Sequence, residues 1–294
     1  MDEIDRKVIK KKEHDTLLQI FIKQFFKNKL AVIGLIIFTM MVLMAICAPL
    51  LAPYDPYEID IFAPVHQAPD GEHLLGTDEL GRDVLSRLLY GSRITLLVGV
   101  SSMIFAVTVG SLIGAVCGYY GGMLDNILMR ITDVFLSFPA IILLIIMAAY
   151  FSTSVLGMIV IIGITSWMPV ARLVRGEFLS LKEKEFVKAS MALGAKDFRT
   201  IFRHMLPNAM APLIVAATLR VGYSILFESA LSFLGIGIQP PVPTWGNMLS
   251  NAQSDIFRAP WIAVWPGVMI FLTVLTINFI GDGLRDALDP KLKQ

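Results

Sequence analysis

The chain has 294 residues, 55% of them hydrophobic and 17% charged, with a formal net charge of +1. A mean hydropathy of +0.69 excludes an ordinary soluble domain and points to a multi-span membrane protein. The near-neutral total gives no reason to expect a nucleic-acid partner, so partners are to be sought in how the charge is distributed.

Residues 1–29 are polar and basic, with Lys10, Lys11, Lys12, Lys23, Lys27 and Lys29. They form a segment expected in the cytoplasm, either a solvated tail or, through Leu17 to Ile22 with Phe25 and Phe26, an amphipathic helix on the inner leaflet. No short apolar core with a small-residue cleavage pattern follows, so the run 30–51 is expected to be a retained first span, with Pro49 and Pro53 at its exit. A transmembrane domain of six spans is expected over 30–281: 30–51, 94–118, 134–150, 155–170, 209–233 and 261–280.

The segment 52–93 is rich in Pro and acids, as an extracytoplasmic loop would be. Its arginines, Arg82, Arg87 and Arg93, run against the positive-inside tendency, and Asp78, Glu79 and Asp83 stand close enough in sequence to pair with them. A short helix is expected over 83–90. In span two, Gly99, Gly110 and Gly114 supply small faces for close helix contact in lipid. Residues 119–122 read as a turn, 125–133 as a short polar bridge, and Pro139 as a kink in span three.

Residues 171–208 form the longest charged segment between apolar runs, with Arg172, Arg175, Lys182, Lys184, Lys188, Lys196, Arg199 and Arg203. Helical spacing predicts a helix over 177–193, ended by Gly194. Asp197 is expected to cap a second short helix, which Leu206, Pro207 and Asn208 stop. Such an amphipathic element either lies among lipid headgroups or serves as a docking peg for a soluble partner.

Span five holds Arg220 and Glu228, eight residues apart and so near one helix face. Charges at membrane depth face a bundle interior or a water-filled path. Glu228 therefore either lines the path of a transported solute or makes a structural contact with a neighbouring helix. The stretch 235–260 reads as an outer loop with Trp245 and Trp261 as interfacial aromatics, and 282–294 as a cytoplasmic tail. With both termini inside, about 20 of the 25 Lys and Arg fall on the cytoplasmic side.

Chemistry of its own is not expected. The chain has no Gly-x-x-x-x-Gly-Lys-Ser/Thr loop, no His-Glu-x-x-His and no Gly-x-Ser-x-Gly. Gly281-Asp282-Gly283 lacks the second intramembrane carboxylate that an aspartyl protease needs. His14, His66, His73 and His204 lack ligand spacing, and Cys47 and Cys117 sit singly in apolar runs, so no metal site is expected.

Lys188-Ala189-Ser190, then Gly194, then Leu206-Pro207 resemble the "EAA" loop of bacterial ABC-importer permeases. Lys188 stands where that family usually has Glu, Ser190 where it has Ala, and His204 where it often has Ile. Leu75-Gly76-Thr77-Asp78-Glu79-Leu80-Gly81-Arg82-Asp83, Leu231-Ser232-Phe233-Leu234-Gly235, Trp245-Gly246 and Gly281-Asp282-Gly283-Leu284-Arg285-Asp286 narrow the likeness. They are similar to the second permease subunit of the dipeptide/oligopeptide/nickel branch, over nearly the whole chain from about residue 30.

The resemblance implies an all-α, polytopic, six-helix membrane protein of the type I (MetI-like) permease fold in a prokaryotic cytoplasmic membrane. Lys188, Ala189, Ser190, Gly194, Leu206 and Pro207 would form the ATPase-coupling loop. It implies a second homologous permease subunit, two ATP-binding subunits that carry ATP and Mg, an extracytoplasmic substrate-binding protein, and no cofactor on this chain. Short peptides are the implied substrate, with nickel or another small solute as alternatives. An ion-coupled secondary transporter would instead require inverted repeats and ion-binding helix breaks, and no clear repeat is seen.

Overall fold

The computed structural model describes residues 16–59, 64–151 and 154–288. The Lys10–Lys12 run, Asp60, residues 152–153 of the turn before the fourth span, and the tail with Lys291 and Lys293 lie outside the described residues. Among the described residues the chain is helical, with one isolated bridge, Thr77 to Asp83.

Helix α1 (Leu17–Lys27) is set by a reciprocal cap. Gln19 N–H donates to Thr16 Oγ1, and Thr16 N–H donates to Gln19 Oε1 at 2.8 Å. It is amphipathic as expected, with Phe25 buried and Phe26 exposed. Helix α2 (Lys29–Ile46) and the single turn α3 (Ala48–Leu51) make up the first span, broken at Cys47. The separate helix expected over 83–90 is instead the start of α4 (Val84–Tyr120). Asp83 caps α4 by accepting from Ser86 N–H at 2.7 Å, and no proline interrupts it. At roughly 1.5 Å per residue α4 is about 55 Å long, well beyond the ~30 Å hydrocarbon layer, so it projects from the membrane.

The expected polar bridge 125–133 is helical too, within α5 (Gly122–Leu136). Helix α6 (Ala140–Tyr150) leaves α5 at 90°. Pro139 thus breaks the chain rather than kinking it, because the residue before a proline is pushed out of helical geometry. With 11 residues, α6 is about 16 Å long and too short to cross alone.

Helix α7 (Val155–Lys182) runs past the expected end of span four, through Pro169. After α8 (Glu185–Ala192) the chain enters α9 (Asp197–Arg199), a π-helical turn (Thr200–Met205) and α10 (Leu206–Phe233) without a gap. Helix α11 (Trp245–Asn251) and α12 (Pro260–Leu288) complete the chain. Five helical stretches are long and apolar enough to cross a membrane, and the bent α5–α6 pair makes the sixth.

The α4–α7 pair is the spine. Gly110, Gly114 and Gly118 recur along one face of α4 and face Val170, Val174 and Phe178 of α7. A β-carbon on Gly114 would lie 2.4 Å from the Ala171 carbonyl oxygen and 2.9 Å from Val174 Cβ. In lipid, with no hydrophobic drive between helices, such close backbone approach is what holds them. A second cluster (Met41, Ile225, Trp245, Ile262, Ile277) joins α2, α10, α11 and α12. Residues 282–288 of the expected tail are the last turns of α12. There Asn28 Nδ2 donates to Asp286 at 3.1 Å, and Phe25, Ala31, Leu284 and Ala287 pack together.

At the end opposite residues 171–208, two of the three loop arginines are paired. Arg82 donates to Asp78 at 2.7 Å and to Glu79 at 3.0 Å, and Arg87 lies 3.3 Å from Asp78. Asp83 pairs with His73 at 3.0 Å rather than with an arginine. Asn251 donates to Glu79 at 2.9 Å, tying α11 to this loop. Trp245 is not an interfacial anchor. It is fully buried, with its N–H donating to Thr95 Oγ1 and its Nε1 to Leu88 O, both at 3.2 Å. Residues 243–248 therefore pack into the bundle, while 253–254 and 256–258 stay exposed.

Candidate functional site

The charged segment forms an elbow at one end of the spine. The helix expected over 177–193 is two helices: 177–182 belong to α7, the chain turns at Glu183 and Lys184, and α8 begins at Glu185. Gly194 ends α8 as expected, with φ +77°. Ala195 N–H donates to Ser190 O at 3.1 Å and Gly194 N–H to Met191 O at 3.0 Å, the paired bonds of a Schellman C-cap. A side chain at that φ costs about 1 kcal/mol or more.

The inner side of α8 is seated firmly. Val187 is fully buried in a cluster with Val174 and Phe178 of α7, Ile201 and Met205 of the π turn, Tyr119 of α4 and Ala209 of α10. Polar bonds brace the cluster. Tyr119 OH donates to Asp197 at 2.8 Å, and Lys182 Nζ donates to Tyr119 O at 2.7 Å. Arg175 grips Asp125 with two bonds, one of 2.6 Å, joining α7 to α5. Asp197 is thus not the cap that its sequence context suggests. Lys196 occupies the cap position, and the Asp197 carboxylate is turned to Tyr119.

The outer side of α8 is open. Phe186, Ala189, Ser190, Leu193, Gly194 and His204 line a groove of about 530 Å³. Leu193 is 89% and Phe198 72% exposed. Of the sequence-predicted residues, the structure brings Ala189, Ser190 and Gly194 together at this groove. Lys188 is beside it, exposed, and bonded to Glu183 at 2.8 Å. That bond holds the Glu183 carboxyl below the usual range, although a pair this exposed contributes little stability.

Leu206 and Pro207 lie elsewhere, at the root of α10, with Leu206 packed on the inner cluster. Pro207 does not stop the helix. It lacks an N–H and would crowd the carbonyl four residues back, and the preceding turn is widened to π geometry, with Leu206 N–H returning to Ile201 O. Such π turns absorb a helix irregularity while the axis continues. Asn208 Nδ2 donates to the His204 carbonyl at 2.6 Å.

The two charges of span five are not brought together. Arg220 is half-buried, its guanidinium 5.5 Å from the centre of the Tyr223 ring. Glu228, about 12 Å further along the helix, is fully buried. Ser232 Oγ donates to Glu228 Oε1 at 2.8 Å, the Ser229 and Thr244 hydroxyls lie beside it, and Oε2 has no hydrogen-bond partner. Thr244 also caps α11, so the carboxyl lies where the end of α10 meets that helix.

Sequence reasoning missed Tyr119, Asp125, Val187 and the Thr200–Met205 turn. Tyr119 was assigned to a turn, and no local pattern signals a partner 78 residues away.

Comparison with known proteins places these features in a family. A family model described as binding-protein-dependent transport system inner membrane component matches residues 110–294. A second, the N-terminal TM domain of oligopeptide transport permease C, matches residues 16–69. The dipeptide transport system permease protein DppC of Alkalihalophilus pseudofirmus is 46% identical over 92% of this chain and 89% of its own length. The glutathione transport system permease protein GsiD of Pectobacterium atrosepticum is 41% identical over 97% and 95%. A solved structure of the MetNI methionine ABC transporter in an inward-facing conformation matches with TM-score 0.57 and 23% identity, over 69% of this chain and 96% of that one; this likeness concerns the helical fold.

Proposed function

The chain belongs to the inner-membrane permease subunits of binding-protein-dependent ABC importers, second-permease type of the dipeptide/oligopeptide/nickel branch, and on that premise we propose that it carries short peptides through a gate worked from the cytosol. The chain is a multi-pass membrane subunit. In this reading its termini and the elbow are cytoplasmic, and it does no bond-breaking chemistry. ATP and Mg are bound by two partner ATPase subunits, and it pairs with a second, homologous permease. An extracytoplasmic binding protein meets the opposite end and selects the substrate. Peptides are favoured over nickel or another solute by what the relatives are named for.

One observation carries the coupling role: α8 is apolar and open on one side and locked to the spine on the other. A partner that grips Phe186, Leu193 and the groove moves Val187, and with it the ends of α7 and α10, as one body. Packed helices respond to such a push by switching between arrangements rather than by bending. At its far end the Phe233 carbonyl of α10 accepts from Ser250 and Gln253 at 3.0 and 3.2 Å, so the tilt reaches the face where the binding protein would dock. Lys188 leaves the docking role intact, because it points to Glu183 and not into the groove.

The test is Gly194→Asp, alongside deletion of 189–195. The added side chain puts a carboxylate at the groove; Asp and Asn both tolerate the left-handed region, so the comparison isolates the charge. Substrate-stimulated ATP hydrolysis and uptake are expected to vanish while the chain still inserts. Gly194→Asn, which tolerates the left-handed region, retains both. Normal stimulated turnover in the Asp variant sinks the docking role. Substrate class is tested separately by titrating peptides and metal ions into the binding protein paired with this chain.

A further inference from the structure

Three arginines stand in the extracytoplasmic loop against the positive-inside tendency, and the acidic residues account for two of them. Arg93 is left over. It is exposed, it follows the paired region by two turns of α4, and it stands immediately before the apolar run that begins at Ile94. Among the described residues it has no carboxylate partner. Its guanidinium lies 5.7 Å from the centre of the Tyr90 ring, and Tyr57 meets Tyr90 edge-on at 6.4 Å.

These three side chains rim one end of a cleft between α2 and α4. The cleft has a volume of about 660 Å³ and is walled by Val42, Ile46, Leu97 and Val100. That volume lies within the ~300–1,000 Å³ of ordinary ligand sites. Its build is that of an amphiphile: an apolar trough at membrane depth, ending in two tyrosines and a cation at the level of the headgroups, where aromatic rings collect. In hydrocarbon a cleft of this kind is not filled by water; it holds an acyl chain or another helix. The guanidinium, without a carboxylate partner among the described residues, decides between them, since it matches the oxygens of a phosphate and an apolar helix offers it nothing.

We propose that the α2–α4 cleft is a phospholipid site, with the phosphate on Arg93 and one acyl chain along Val42, Ile46, Leu97 and Val100. The leaflet is the outer one, given the orientation proposed above; the site itself does not depend on that orientation or on the coupling role. A lipid held there braces α2 against α4 beside the Asp78–Arg87 contact.

The assembled transporter, stripped of lipid in detergent, is titrated with phosphatidylglycerol, and bound lipid is counted by native mass spectrometry. The unaltered complex is expected to retain one lipid more tightly than the rest. Arg93→Ala weakens that lipid about tenfold, and Arg93→Lys keeps most of the affinity. Leu97→Trp, which fills the trough without touching the cation, also loses it. Diacylglycerol, which lacks the phosphate, binds weakly to all variants. Size-exclusion profiles confirm that each complex is intact, and neither ATP hydrolysis nor uptake enters the readout. Equal retention by the unaltered complex and Arg93→Ala overturns the proposal. So does efficient cross-linking of a Leu97→Cys variant to the second permease subunit, which makes the cleft a subunit interface.

Discussion

Truncation of Glu228 is expected to loosen the C-terminal end of α10. The side chain is fully buried and accepts from Ser232 at 2.8 Å, with the Thr244 and Ser229 hydroxyls beside it. Glu228→Ala leaves the Ser232 hydroxyl without its acceptor in a dry site, at about 1–3 kcal/mol. The vacated volume adds a cavity term, so the total reaches roughly 2–5 kcal/mol. Glu228→Gln is expected to cost under about 1 kcal/mol. Its Oε1 still accepts from Ser232, and its new NH₂ can donate to the Ser229 hydroxyl beside it, which is buried without a partner.

Thermal melting of the purified complex, co-purification of the ATPase subunits and uptake in vesicles are measured separately. A packing role predicts that Gln assembles, melts and transports normally, while Ala melts several degrees lower and assembles poorly. A role in the solute path predicts that both variants assemble and both lose uptake. An Ala variant as stable as the unaltered complex would refute the reasoning from burial and hydrogen bonding.

Gly114→Ala places a β-carbon 2.4 Å from the Ala171 carbonyl oxygen. It should force α4 and α7 apart at a cost of about 1–3 kcal/mol, read as a lower melting temperature with loss of coupled turnover. Tyr119→Phe removes the bond to the Asp197 carboxylate, worth about 1.5–3 kcal/mol for a charged acceptor. The expected result is more ATP hydrolysed per solute moved, with assembly unchanged. Trp245→Ala empties a fully buried site at about 3–5 kcal/mol, and faster proteolysis of the 235–259 segment reports it. Arg175→Ala frees the α5 end by breaking its grip on Asp125, and amide exchange in Gly122–Leu136 is expected to rise.

Much of the architecture is legible in the residues alone. Long apolar runs must be satisfied by helices in lipid, so the spans announce themselves. Gly194 announces its own conformation, since positive φ after an amphipathic stretch selects glycine. The pairing of Arg82 and Arg87 with Asp78 is legible for the same reason: the partners are close in sequence and their charges need neutralising.

What escaped the residues is where helices end and what they meet. Pro207 carries a stop signal, yet the helix continues, because a π turn supplies the room that the ring needs. Trp245 carries the composition of an interfacial anchor, yet it is buried, because Gly91 lets it approach α4 and Leu88 offers its indole an acceptor. Arg220 and Glu228 lie eight residues apart on one helix, but their surroundings differ because neighbours from distant parts of the chain enclose only the second. Local sequence thus determined the helices and the capped elbow, through solvation and backbone preferences that act within a few residues. Tertiary packing alone decided that the elbow is locked to the spine on one side and open on the other. That contrast depends on Val187 meeting Phe178, Ile201 and Met205, contacts whose energy exists only once the helices are side by side.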